Sequence, residues 1–141
     1  MSSSASCLFC RIVAGEEPAH VVVETEEVLG FLDVRPLFAG HTLVVPKTHV
    51  DTLVELPTEL MTPVFSTAQR VAAALPAALG AQGSFVAMNN VVSQSVPHLH
   101  VHVAPRTKGD GLRGFFWPRT RYAEGEAETT AARLAAVLRA D

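Results

Sequence analysis

Short apolar runs separated by polar turns recur along the chain and predict β-strands. The first two runs lie on either side of Thr25, Glu26 and Glu27, which is the pattern of a β-hairpin. The last run alternates apolar and polar positions, as a strand with one buried face does. We therefore expect five strands, over residues 20–24, 28–33, 41–45 (closed by Pro46), 84–89 and 98–104.

Alanine-rich or helically spaced segments predict three helices, because alanine loses no side-chain rotamer freedom in a helix. Gly15 and Gly80 follow the first two segments and are typical of the residue just beyond a helix end. Pro76 should kink or end the long helix, since proline has no N–H to donate. The predicted helices cover residues 7–14, about 58–79, and Glu126–Ala140.

The order of these elements predicts an α+β fold. Consecutive strands joined by short turns pair in an antiparallel manner, and the helices then pack against the sheet. The chain has 141 residues, of which 48% are hydrophobic, enough for one domain with its own core. We expect a five-stranded antiparallel sheet with a long helix and a C-terminal helix, in a single domain over residues 1–141.

Charge and composition exclude several functional classes. The net charge is −3, from 11 basic and 14 acidic residues, which does not support a generally basic nucleic-acid-binding surface. No apolar run approaches the roughly 18 residues of a membrane helix. The polar, uncharged residues 1–6 lack the pattern of a secretory signal. We therefore expect a cytoplasmic protein without a membrane segment.

Three histidines alternate along the last predicted strand. His98, His100 and His102 are separated by single apolar residues, so they share one face at spacings of about 6.6–7 Å. Imidazole can act as a nucleophile, a general base or a metal ligand. A histidine-lined solvent face is the simplest alternative. A three-histidine metal site is another, although neighbouring strand positions splay apart and suit one tetrahedral ion poorly.

This run resembles the signature of the histidine triad (HIT) superfamily of nucleotide hydrolases and transferases. The resemblance covers about residues 7–106, with residues 107–141 as a C-terminal extension, and is closest to the small nucleoside-phosphoramidate hydrolases. Further matching segments lie at residues 7–12, 31–36, 40–49, 89–90, 94–96 and 105–106.

The resemblance implies a covalent mechanism. The middle histidine of the family's triad attacks the α-phosphorus and forms a nucleotidyl-histidine, a role that falls on His100. His102 would contact the phosphate oxygens or the leaving group, His41 would lie behind the triad, and His98 is the first triad histidine. The substrate implied is a purine nucleoside phosphoramidate or related conjugate. The alternatives are a dinucleoside-polyphosphate hydrolase or nucleotidyl transferase, and a nucleotide-binding protein with little turnover.

The resemblance also implies a nucleotide-binding pocket. Asp33 matches the acidic residue that grips the ribose, although an aspartate at a strand end is often a turn residue. Donors to the phosphate are expected at Asn89, Gln94 and Ser95. The loop before the triad is short and carries Ser93 where the family has glycine, a departure that bears on the leaving-group preference more than on the chemistry. The predicted base pocket comprises Leu8, Phe9, Ile12, Phe31, Leu32 and Val34.

A second constellation involves the two cysteines, Cys7 and Cys10. The resemblance implies that they join His49 and His98 in a closed Cys2His2 zinc site, as in some bacterial members. Such a zinc ion would be structural, because a saturated site has no open position for a substrate. A redox Cys-x-x-Cys pair and two buried free thiols are the alternatives.

Arginines and aromatic residues interleave in residues 106–121. One interpretation is a groove for single-stranded nucleic acid. We favour instead core or partner packing of the rings with the arginines in solvent, and we expect no nucleic-acid partner. Family members pair into symmetric dimers, so the resemblance also implies a homodimer, with Trp117 as the candidate interface residue.

Overall fold

The computed structural model describes residues 6–112 and 119–140. It divides into two compact units, residues up to 110 and residues from 111 onward. The elements of the first unit are α1 (Leu8–Val13), β1 (Val21–Glu24), β2 (Val28–Leu32), β3 (Thr42–Pro46), a 3-10 turn (Leu53–Glu55), α2 (Thr58–Leu79), β4 (Gly83–Ala87) and β5 (Val101–Arg106). The second unit contains α3 (Glu126–Ala140).

The five strands form one antiparallel sheet in the order β1-β2-β3-β5-β4. The predicted α+β class, the five-stranded sheet and the long and C-terminal helices are therefore confirmed. The single domain over residues 1–141 stays a prediction. In the part of the chain that the structure describes, no helix is both long and apolar enough to cross a membrane.

Both faces of the central strands are covered. On one face, Val28 and Val44 join Val101, Val103 and residues of α2 in the larger hydrophobic cluster. On the other face, a smaller cluster joins α1 to the sheet through residues Cys7, Phe9, Leu29, Phe31, Leu43 and Val45. Double coverage explains why β2 and β3 are nearly continuous apolar runs rather than alternating ones.

The fifth strand begins later than the sequence predicts. His98 and Leu99 precede β5, which pairs with β3 only from Val101 onward. The N–H of Leu99 instead donates to the carbonyl of Val50 at 2.7 Å, outside the sheet ladder. The prediction of one regular strand over 98–104 was wrong, because this partner comes from a distant loop.

The long helix continues through Pro76, contrary to the prediction that this residue could end it. Pro76 lies in the last turn, and its carbonyl accepts the N–H of Gly80 at 2.9 Å. Val71 and Leu75 are buried just before it, so tertiary packing holds the final turn. Gly80 is in the left-handed region with φ 70°, as a glycine after a helix often is.

Candidate functional site

A cavity of about 160 Å³ opens between α1, the end of β2 and the start of β5. His100 and His102 line it on one side. All six predicted base-pocket residues also line it, together with Asp33 and Ser95. Its lining residues are Leu8, Phe9, Ile12, Pro18, Ala19, Phe31, Leu32, Asp33, Val34, Arg35, Leu43, Ser95, Val96, His100 and His102.

The proton position of His100 follows from one hydrogen bond. Its Nδ1 lies 2.7 Å from the carbonyl oxygen of His98. A carbonyl can only accept, so Nδ1 carries a proton, and in the neutral ring the lone pair is then on Nε2. The ring is buried and lines the cavity. It also packs edge-on against Phe9, with centroids 5.0 Å apart, which restricts its rotation. In its neutral form, an imidazole held in this way offers Nε2 as the atom that can attack an electrophile.

His41 and His102 carry their protons on Nε2, whereas the hydrogen bond of His100 places its proton on Nδ1. The backbone N–H of Leu37 donates to Nδ1 of His41 at 3.0 Å, so the proton of His41 is on Nε2. This Nε2–H donates to Nδ1 of His102 at 2.9 Å. His102 therefore carries its own proton on Nε2 and can donate it within the cavity that it lines.

Burial keeps both of these imidazoles neutral. It lowers the pKa of His102 to about 4, with further lowering from His100 and His41, while Asp33 opposes the shift. Burial also lowers the pKa of His41 below its ordinary value, against the opposing carboxylate of Asp33. Asp33 Oδ2 lies 3.8 Å from His41 Nε2, too far for a hydrogen bond. The backbone donor at Leu37, rather than this carboxylate, determines the tautomer of His41.

Of the four polar residues predicted to bind the nucleotide, two line the cavity and two do not. Ser95 lines it, as does Asp33, whose Oδ1 also accepts the backbone N–H of Arg35 at 2.9 Å in a turn. Asn89 and Gln94 are not among the lining residues. The side chain of Gln94 accepts the N–H of Val91 and donates to the carbonyl of Asp51, so it holds the loop.

The loop before the triad contains two strained positions. Val91 has φ 68° and Ser93 has φ 63°, a region that glycine occupies readily and a β-branched residue rarely does. Ser93, which stands where the family has glycine, thus adopts the positive φ that glycine would adopt. Hydrogen bonds within the loop and to residues 51 and 53 hold this conformation.

The four predicted metal ligands lie together. The donor atoms of Cys7, Cys10, His49 and His98 are all within 4.8 Å of one another. Cys7 Sγ is 3.3 Å from His98 Nδ1, and Cys10 Sγ is 3.2 Å from His49 Nδ1. In a tetrahedral zinc site with ordinary bond lengths, sulfur and nitrogen ligands stand about 3.6 Å apart. The cluster is therefore close to the size that the ion needs.

The outer hydrogen bonds also fit a metal site. His98 Nε2 donates to the carbonyl of Pro46 at 2.8 Å, and His49 Nε2 donates to Asp51 Oδ1 at 2.7 Å. Both Nδ1 lone pairs consequently face the thiols, as ligating imidazoles require. Burial lowers the pKa of His98 to about 4, so this ring is neutral. Burial and the neighbouring Cys7 raise the pKa of Cys10 to about 11, so a metal would displace its proton.

Sequence reasoning missed several residues of the site. Arg35, Pro18, Ala19, Leu43 and Val96 also line the cavity. Asp51 was missed as the partner of His49, although a carboxylate two residues after a metal-binding histidine is a usable signal. Trp117 lies outside the described residues. In the segment 106–121, Arg106 pairs with Asp110 at 2.7 Å.

Comparison with known proteins gives a consistent match. A family model for the HIT domain matches residues 14–109. An uncharacterized HIT-like protein of Methanocaldococcus jannaschii is 43% identical over 107 residues, covering 74% of this chain and 82% of that protein. An adenosine 5'-monophosphoramidase of Schizosaccharomyces pombe is 35% identical over 115 residues, covering 80% of this chain and 84% of that protein.

Solved structures agree. A zinc-bound histidine triad family protein from Mycobacterium smegmatis is 39% identical with a TM-score of 0.75, covering 99% of this chain and 100% of that one. A HIT family protein from Bacillus anthracis is 32% identical with a TM-score of 0.82, covering 94% of this chain and 96% of that one.

Proposed function

The chain belongs to the HIT domain family, and we propose that it hydrolyses purine nucleoside phosphoramidates or related nucleotide conjugates through a nucleotidyl-histidine on His100. The observation that carries this proposal is the hydrogen bond from His100 Nδ1 to the carbonyl of His98, which leaves Nε2 as the nucleophilic nitrogen in the cavity. The similarity to a protein named adenosine 5'-monophosphoramidase supports the substrate class.

The reaction has two displacements. In the first, the Nε2 lone pair of His100 attacks the α-phosphorus, an N–P bond forms, and the bond to the leaving amine breaks as the amine takes up a proton. In the second, water attacks the same phosphorus and releases a proton, the bond to His100 breaks with its electron pair returning to Nε2, and the mononucleotide leaves with the water oxygen. Splitting the reaction in this way replaces one difficult step with two easier ones.

His102 and Ser95 are proposed to act on the phosphoryl group. His102 carries its proton on Nε2 because His41 occupies its Nδ1, so it offers a neutral donor to a phosphate oxygen or to the leaving atom. Ser95 lines the same cavity and offers a hydroxyl. Donors held before the reaction stabilise the charge that develops on the phosphoryl oxygens. Asn89 and Gln94 remain proposed nucleotide-binding residues, with Gln94 acting through the loop that it holds.

The base and the ribose would occupy the apolar part of the cavity. Phe9, Phe31 and Leu32 offer flat and aliphatic surfaces that suit a purine, while Ile12 and Val34 line the same space. Asp33 lies at the end of β2, where its carboxylate could accept hydrogen bonds from ribose hydroxyls. Apolar contact discriminates weakly between bases, so we expect tolerance among purines.

The residues Cys7, Cys10, His49 and His98 are proposed to hold a structural Zn2+. By binding four ligands, the ion would cross-link α1, the loop after β3 and the segment before β5. His98 belongs to both sites, since its Nδ1 faces the thiols and its carbonyl orients His100. The zinc-bound relative from Mycobacterium smegmatis supports this assignment.

The dimeric assembly is proposed from the family resemblance. We propose a cytoplasmic homodimer with Trp117 near its interface and no nucleic-acid partner. The edge strand β4 exposes Val86, and α2 exposes Met61 and Phe65, which gives the chain apolar surface suited to a partner copy.

The test compares hydrolysis of adenosine 5'-phosphoramidate by the wild type and by His100→Ala, with a diadenosine polyphosphate assayed in parallel. We expect AMP release from the phosphoramidate, and a loss of at least about a thousandfold in kcat/KM without the nucleophile. His20→Ala, at an exposed histidine outside the site, is the matched control and should retain full activity.

The other outcomes separate the alternatives. Cleavage of the polyphosphate alone would keep the covalent chemistry and reject the phosphoramidate as substrate. Phosphate-dependent formation of ADP would indicate nucleotidyl transfer. AMP binding by a folded protein that turns over neither compound would favour a nucleotide-binding role.

A further inference from the structure

The loop that follows β3 is hydrogen-bonded both to the metal cluster and to the loop before the triad. Asp51 Oδ1 accepts the Nε2–H of His49 at 2.7 Å. The backbone carbonyl of the same residue accepts from Gln94 Nε2 at 2.6 Å. Two residues later, the N–H of Leu53 donates to Asn90 Oδ1 at 2.7 Å. Residues 49–53 therefore connect the metal cluster to the loop at 90–94, which follows them by about 40 positions in sequence.

The loop that carries Asp51 is anchored by the residue before it. Val50 is buried in the larger cluster, and its carbonyl accepts the N–H of Leu99 at 2.7 Å. His49 and Asp51 lie on either side of this buried position, and the Asp51 carboxylate accepts from the His49 imidazole.

The loop over residues 90–96 depends on these contacts more than an ordinary turn does. Val91 and Ser93 both have positive φ, which is unfavourable for side chains with a Cβ. Gln94 stabilises this backbone conformation, because its side chain accepts the Val91 N–H at 3.0 Å and donates to the carbonyl of Asp51. The next residue, Ser95, lines the cavity. Displacement of Asp51 would thus be transmitted to a proposed phosphate ligand.

We propose that Asp51 is a positioning residue that joins the metal site to the phosphate-binding loop. Its carboxylate fixes the tautomer and orientation of His49, and its carbonyl anchors Gln94 and hence Ser95. The phosphate-binding role of the loop rests on the proposed function, whereas the two contacts of Asp51 do not. An exposed ion pair alone contributes little to folding, but partners of ligating histidines affect metal affinity by about 10- to 100-fold.

The first measurement is Zn2+ affinity, by competition with a chromophoric chelator, for the wild type, Asp51→Ala and Asp51→Asn. We expect affinity to fall about 10- to 100-fold in Asp51→Ala and less in Asp51→Asn, whose amide oxygen can still accept from His49. Glu24→Ala is the matched control, because Glu24 is also an exposed carboxylate in a 2.6 Å ion pair. Equal zinc affinity in Asp51→Ala and Glu24→Ala would overturn the proposal.

The second measurement is backbone hydrogen exchange of residues 90–96 with saturating Zn2+ in every sample. We expect exchange to accelerate at least about threefold in Asp51→Ala. The backbone carbonyl of residue 51 anchors Gln94, and without the side-chain contact to His49 this residue is held less firmly. Gln94→Leu should accelerate exchange in the same loop while retaining wild-type zinc affinity, and Glu24→Ala should change neither. Weakened zinc binding with unchanged loop exchange would reject the joining role.

Neither readout uses turnover. A failure of these measurements would therefore remove the role of Asp51 and leave the proposed hydrolase untouched. A lack of hydrolase activity, in turn, would leave the zinc affinities and exchange rates as they are.

Discussion

The imidazoles of the site take their tautomers from neighbouring hydrogen-bonding groups, and chiefly from the backbone. The carbonyls of His98 and Pro46 accept from His100 and His98 respectively, while the N–H of Leu37 donates to His41. Backbone groups cannot change their charge with pH, so these tautomers are held over a wide pH range. The position of the lone pair on Nε2 of neutral His100 is one consequence, and the Nε2 proton of His102 is another.

The buried histidines make the fold sensitive to acid. The pKa of His102 is about 4 in the folded protein, against about 6.5 in an unfolded chain. The folded state therefore binds its proton less readily, so the stabilisation is complete above about pH 6.5 and is lost as the pH falls towards 4. We expect His102→Gln to remove part of this loss, up to about 3 kcal/mol, as measured by urea unfolding between pH 7.5 and 4.5.

Glutamine retains a carbonyl that can accept from His41, so this variant should fold. His20→Gln, at an exposed histidine, is the matched control and should follow the wild type. Parallel loss of stability in His102→Gln and the wild type over the same pH range would show that His102 does not carry the effect.

At the level of elements, the end of α2 depends on a glycine in a left-handed conformation. Gly80 has φ 70°, and a Cβ added to it would meet nothing within 4 Å. The only penalty for placing a side chain at this position is thus the strain of the left-handed backbone conformation. We expect Gly80→Ala to lower the free energy of unfolding by about 1–2 kcal/mol, measured by urea denaturation.

Gly83, the first residue of β4, provides the control. An added Cβ there also meets open space, and its φ is not in the left-handed region. Gly83→Ala should therefore cause no loss of stability. Equal effects of the two substitutions would mean that the positive φ of Gly80 does not limit the helix end.

Among the elements, the helices and the first three strands were predictable within one or two residues, because their patterns are local. Residues 98–100 were not, since Leu99 hydrogen-bonds to Val50 instead of a neighbouring strand. Pro76 likewise does not end the helix, despite its low helix propensity, because buried Val71 and Leu75 hold the last turns of α2. In both cases a contact distant in sequence outweighed the local preference.

At the scale of the whole first unit, the Cys2His2 cluster connects three parts of the chain: α1, the loop after β3, and the segment before β5. We expect elemental analysis of protein purified without added metal to find about one zinc per chain. Chelation should lower Tm by about 12 °C, because an ion present at a thousand times its Kd stabilises by about 4 kcal/mol, and each kcal/mol is worth about 3 °C in a chain of this size.

Cys10→Ser should lose the zinc, whereas His20→Ala, outside the cluster, should retain it. Less than about a tenth of an equivalent in the wild type would reject the zinc site, given the tight binding expected of structural sites.

Local patterns in the chain were enough to predict five strands and three helices, though not where the fifth strand begins, and to single out the residues of the triad. Hydrophobic periodicity and the turn residues that bound each element are encoded over a few neighbouring positions. The residues of the cavity and of the metal cluster could be named only with the family resemblance. Their spacing across 91 positions, from Cys7 to His98, carries no local signal.

The tautomers, the role of Gln94 and its contact with the Asp51 carbonyl required the folded chain. Each depends on a hydrogen bond between groups that the sheet and its loops bring together, such as Gln94 with Asp51 or His98 with Pro46. Such bonds form only when both partners lie within about 3 Å in a suitable orientation. That condition is a property of the tertiary structure, and no pattern of residue types along the chain specifies it.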